Sequence, residues 1–165
     1  MGMTFNFVPV SSEQLKLYLS DSSLLEAAIY EEDDEREPLD ITDIDKSWNG
    51  ILYLLTGKSI EDNDHPLAAV FFSGQLIDEE QDLGYGPGHY LTAGQVQEIS
   101  KQLEGITAES LKVMYAPQKM NALEVYPQIW NEEVALEYLL EYYDEVKDLF
   151  ARASKEGMAI IGFVN

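Results

Sequence analysis

Residues 132–164 constrain the fold more than any other stretch. Leu136, Leu139, Tyr143, Val146, Phe150 and Ala153 recur at steps of three and four, with Tyr138, Tyr142 and Leu149 as a flanking stripe. This pattern predicts a long helix, about 132–155, whose broad apolar face needs another layer to cover it. Asn131 is placed as its N-cap and Gly157 as its end. Met158 to Val164 is apolar throughout and reads as a terminal strand. At the other end of the chain, residues 3–9 alternate, with Met3, Phe5 and Phe7 on one face and Thr4 and Asn6 on the other. The two end strands are expected to pair and to tie both termini into one sheet.

Between these ends the sequence signals several helices. Ser11 with Gln14 forms a capping-box signature ahead of Leu15, Tyr18 and Leu19. Asp21 or Ser23 can cap a second helix that buries Leu25, Ala28 and Ile29. Asp45 is expected to cap a third, with Trp48, Ile51, Leu52 and Leu55 facing inward and Gly57 at its end. Gly50 within it costs helix stability and marks the close approach of another backbone or ring. Thr92 with Gln95, and then Thr107, start two more helices, and Pro117 opens a further turn. Leu67–Phe72 reads as a buried strand, joined through Ser73-Gly74 to a second strand at 75–77. The expected fold class is α+β. One domain spans 1–165, built on a small, mainly antiparallel sheet packed against several helices.

The chain has 31 acidic and 10 basic side chains, a net charge of −21. That balance opposes binding to phosphate backbones or anionic membranes, so neither nucleic acid nor membrane is expected as a partner. It suits a basic protein partner met through an acidic surface. The acids concentrate at Glu31 to Asp45, which is expected to be a solvated, mobile loop. Its aspartates lack the spacing, glycine and closing glutamate of a calcium loop. No apolar run reaches membrane-spanning length and the N-terminus carries no signal-peptide pattern. With no cysteine present, a reducing, cytoplasmic setting is expected.

No catalytic motif stands out, so the reading leans away from an enzyme. There is no thiol nucleophile and no Gly-x-Ser-x-Gly elbow, and His65 and His89 are far apart in sequence. No cofactor or metal motif is found. Gly84, Gly86 and Gly88 do not have dinucleotide-loop spacing, and they read as a stiff turn feeding the helix at Thr92. Aromatic and imidazole groups on stiff turns make a candidate binding surface. The candidates are Trp48 with Asn49, then Tyr85, His89 and Tyr90, then Tyr126 and Trp130 of the compact turn 126–130.

Three segments resemble the YfbM-like family of small bacterial proteins, a domain of unknown function. They are Asp45-Lys46-Ser47-Trp48-Asn49-Gly50 with Leu54-Leu55-Thr56-Gly57; Leu83-Gly84-Tyr85-Gly86-Pro87 with Tyr90-Leu91-Thr92; and Tyr126-Pro127-Gln128-Ile129-Trp130 with Glu137-Tyr138-Leu139-Leu140. The resemblance implies an α+β domain in a bacterial cytoplasm and implies no activity. Two functions are compatible with these observations, the first the favoured reading and the second the alternative. One is a non-enzymatic protein-binding module using its acidic surface. The other is a small-ligand binder or enzyme with an aromatic pocket formed by the Trp48 helix, the Gly84–Tyr90 loop and the Tyr126–Trp130 turn.

Overall fold

The structure is a computed structural model that describes residues 2–165. Four strands, β1 (Phe5–Val10), β2 (Thr42–Asp43), β3 (His89–Leu91) and β4 (Ala159–Val164), form one antiparallel sheet in the order β2-β1-β4-β3. The end strands pair along their full length, from Phe5 opposite Val164 to Val10 opposite Ala159. The ladder continues past them through reciprocal backbone bonds between Thr4 and Asn165, of 2.9 and 3.0 Å. Helices α1 (Ser12–Ser20) and α2 (Ser23–Tyr30) cover one face. On the other lie α3 (Trp48–Thr56), α4 (Ala93–Glu104), α5 (Ala108–Met114), α6 (Pro117–Ala122) and α7 (Ala135–Glu156).

Each side of the sheet has its own apolar layer. Phe5, Phe7, Ile160 and Val164 pack with α3, α4 and α7, and Val8, Val10, Ala159, Ile161 and Phe163 pack with α1 and α2. A strand covered on both faces needs no polar alternation, which explains the uninterrupted apolar run in β4. The α7 face is buried from Leu139 through Tyr143, Val146 and Phe150 to Ala153 as its spacing predicts, with Leu149 of the flanking stripe also buried and Leu136 half-buried.

Local signals set most helix starts. Ser11 Oγ accepts the Gln14 amide and Thr107 Oγ1 the Ser110 amide. At Thr92 the capping box is complete, because Thr92 Oγ1 accepts the Gln95 amide while Gln95 Oε1 accepts the Thr92 amide. Gly57 and Gly157 end α3 and α7.

Four expectations differ. Residues 67–72 are not a strand; Pro66–Val70 is a 3-10 helix, started by Pro66 and by His65 Nδ1 accepting the Leu67 amide. A short apolar run does not distinguish strand from helix by periodicity, and proline at the first position favours the turn. Residues 75–77 therefore form no hairpin with that segment, and instead lie against β3 through the Leu76–His89 bridge. Asp45 does not cap α3. It sits in a 3-10 turn at φ 52° and accepts from Tyr138 Oη at 2.8 Å. Asn131 does not cap α7, which begins at Ala135 after a turn through 131–134.

Candidate functional site

A cleft of about 740 Å³ opens where α3 begins. Trp48 is the first residue of α3, and its indole Nε1 donates to the Met3 carbonyl at 3.0 Å. The Met3 amide in turn donates to Tyr126 Oη at 2.9 Å. The Trp48 and Tyr126 rings stack at 5.9 Å with 29° between their planes. Two aromatic side chains thus grip one backbone unit, and the floor of the cleft is rigid on both sides of Met3. Because Tyr126 Oη accepts, its own proton is free to donate, and among the described residues nothing takes it.

Beside Trp48, Asn49 lines the same cleft and is only 3% exposed. Its Oδ1 accepts from Ser59 Oγ at a long 3.4 Å, and among the described residues its Nδ2 has no protein acceptor. A buried amide normally has its hydrogen bonds made, so one left open toward a cleft is available to whatever enters.

The walls come from segments that the sequence marks only by Gly57 at the end of α3 and Pro117 at the start of α6. Gly57–Asp62 forms one, and Lys119, Leu123 and Glu124 at the end of α6 form the other. Asp62 and Glu124 both hold left-handed backbone, at φ 49° and 52°. Non-glycine residues pay a conformational cost there, and such positions gather at binding sites. Ile60 and Leu123 keep apolar side chains exposed at the rim. Lys58 is paired with Asp64, whose carboxyl it holds below the usual carboxylate range chiefly by their hydrogen bond.

The structure therefore brings together Trp48, Asn49 and Tyr126, and places the other candidates elsewhere. Trp130 is 1% exposed, with Nε1 donating to the Val125 carbonyl at 2.7 Å. The residue borders a second hollow of about 570 Å³ between Tyr115–Lys119 and Asn131–Glu133. The tip of its ring lies against Gly50, where a Cβ would stand 2.6 Å from both Trp130 Cη2 and Leu139 Cδ2. Gly50 is there so that a ring can touch the helix axis.

The Gly84–Tyr90 loop does not line the cleft. Asp82 organises it, with Oδ1 accepting the Gly84 and Gly86 amides at 2.9 and 3.0 Å. Those two bonds, Gly86's first, hold the Asp82 carboxyl below its ordinary range. Gly84 has φ 139°, and a Cβ on it would stand 2.6 Å from Asn165 Cα, so the loop packs directly on the end of β4. Tyr85 stays 56% exposed, while its amide donates to the Val164 carbonyl at 3.0 Å. Tyr90 packs with the α1–α2 layer.

His89 is half-buried, and its Nδ1 accepts the Gly74 amide at 3.2 Å. Burial pushes its pKa down from the ordinary value. It lies outside the cleft, next to Phe72, whose ring is edge-on both to His89 at 5.3 Å and to Trp48 at 5.7 Å.

Among the described residues no three or more His, Cys, Asp or Glu side chains converge in a metal-holding group. Among the described residues no helix is long and apolar enough to cross a membrane.

No curated protein matches the sequence. The crystal structure of YfbM from Escherichia coli, a protein of unknown function, has the same fold, with a TM-score of 0.76 at 17% identity. The match covers 98% of this chain and 99% of that one. The sequence also matches the family described as "Domain of unknown function (DUF1877)" over residues 1–163, and the chain belongs to that family.

Proposed function

We propose that the cleft at Trp48, Asn49 and Tyr126 binds a small, planar, partly apolar molecule. The ligand lies against the aromatic floor and presents a hydrogen-bond acceptor to Asn49 Nδ2. The observation that carries this is Asn49, a residue 3% exposed that lines the open cleft and whose Nδ2 has no protein acceptor among the described residues. Pockets of this kind are mostly apolar with few convergent polar groups. Binding is proposed rather than catalysis, since the two histidines lie outside the cleft with Nδ1 bonded to backbone amides. The cysteine-free composition suits a reducing bacterial cytoplasm.

The test uses benzamide, nicotinamide and uracil as probes and reads tryptophan fluorescence in a Trp130→Phe background. At least one probe is expected to quench Trp48 saturably, and Asn49→Leu is expected to weaken it by roughly tenfold, the worth of one buried hydrogen bond. Saturable quenching unchanged by Asn49→Leu, or no quenching by any probe, would overturn the proposal.

A second reading, a basic protein partner met through the acidic surface, is supported by the clustering of acid and exposed apolar groups around α1 and α2. Of the eleven large apolar side chains left exposed among the described residues, five (Leu17, Leu19, Leu24, Tyr30 and Ile41) fall in this most acidic part of the chain.

A further inference from the structure

On the face opposite α7, a groove of about 570 Å³ runs between α1–α2 and residues 36–40. Its lining includes Val10, Tyr18, Leu24, Ala28, Leu39 and Met158, with Leu24 44% exposed. Two exposed contacts reach the outer wall. Arg36 Nη1 donates to the Ala27 carbonyl at 2.8 Å, and Arg152 reaches Asp40 at 3.6 Å. Both arginines near the groove are thereby engaged, Arg36 also with Asp33. Residues 11–45 contain twelve acids (Glu13, Asp21, Glu26, Glu31, Glu32, Asp33, Asp34, Glu35, Glu37, Asp40, Asp43, Asp45) against two bases, Lys16 and Arg36. All of the acids from Glu31 to Glu37 are exposed.

The groove's own lining carries Glu37 and Asp40 beside Arg36, and the exposed acids 31–35 directly precede it in the chain, so the local charge favours a basic occupant. A second copy of this chain would bring another −21 to the contact, which disfavours self-association there. No described segment of the chain lies across the groove. We propose that it docks an amphipathic, basic helical segment of another protein, with apolar anchors at i, i+3 and i+7 over Leu24 and Leu39 and Lys or Arg toward the acidic banks. This rests on the second reading above and gives it a place and a partner chemistry. The acidic field speeds encounter, and the trough supplies the specificity.

The probe is a synthetic Leu/Lys peptide with leucines at helical spacing, compared with a scrambled peptide of the same composition. Binding is measured by anisotropy at about 50 and 300 mM NaCl, either side of the range in which exposed charges become screened. The helical-pattern peptide is expected to bind at least ~10-fold tighter than the scrambled one at low salt, as buried apolar anchors provide. Leu24→Arg is expected to weaken it by ~10-fold or more, and Val113→Arg, on exposed α5, by less than ~2-fold. Both variants add the same charge, so their difference reports the groove. Equal weakening by the two, or equal binding of the two peptides, overturns the groove. If binding in that case still falls with salt, the acidic-surface reading survives without it. If neither peptide binds at low salt, both fail.

Discussion

Asn49 and Gly50 are neighbours in sequence with opposite tasks. Gly50 serves packing, since the Trp130 ring and Leu139 occupy the space of a side chain. Gly50→Ala is expected to destabilise by about 1–3 kcal/mol, the usual cost of overpacking, despite alanine's better helix propensity. Urea unfolding checks this, and the effect should shrink in a Leu139→Ala background, where room is made. Asn49 serves the cleft. If its amide were a structural tie to Ser59, Asn49→Leu would cost roughly 1–3 kcal/mol. The 3.4 Å length of that bond and the open Nδ2 predict instead a cost of no more than about 1 kcal/mol, read by urea unfolding. His89 supplies a pH dependence. Burial lowers its pKa in the folded state below the ordinary 6.5, so the unfolded chain binds more protons between those two values. Stability is therefore lost as pH falls through about 6.5 and levels off below the folded-state value. His89→Gln can keep an acceptor for Gly74 and removes this contribution. The stability advantage of the native chain over the variant should shrink between about pH 7.5 and 5.5, with carboxylate effects common to both cancelling in the difference. The sequence marks Gly50 as a close approach because a mid-helix glycine needs a reason. It cannot separate Trp48 from Trp130, because which indole edges a cleft depends on chain segments distant in sequence.

Elements whose signals are local were legible. The box at Thr92 needs only Thr92 and Gln95, and α4 begins there. Thr92→Ala is expected to cost about 1 kcal/mol and Thr92→Ser much less, measured by urea unfolding. Elements set by distant partners were not legible. Residues 89–91 form a strand because Ile160–Gly162 of β4 offers an edge, although the stretch reads as part of a glycine-rich loop. Asp45 looks like an N-cap by residue type. It is drawn off by Tyr138 Oη, and burial together with that bond pushes the Tyr138 pKa up. The walls of the cleft share this property. The left-handed backbone at Asp62 and Glu124 is imposed by packing, and neither residue type announces it.

At the scale of the whole molecule, the paired end strands and the one-sided α7 are enough to define an α+β sandwich, and both were readable from periodicity. The charge is a separate matter. A chain at −21 repels itself, and few of its acids have basic partners. Its urea midpoint should rise between about 20 and 300 mM NaCl as that repulsion is screened, and a midpoint that falls would show that ion pairs dominate. The aromatic cleft lies on the α3 side of the sheet and the acidic groove on the α1–α2 side, so the two can be altered independently. The central claim is that Asn49 faces an open, ligand-ready cleft. It is tested most directly by following the Asn49 side-chain NH2 resonances by NMR during titration with benzamide, nicotinamide and uracil. Both Nδ2 protons should shift saturably with at least one probe, together with backbone amides at 57–62 and 123–126. Shifts confined to surface amides away from the cleft, with Asn49 unmoved, would contradict it.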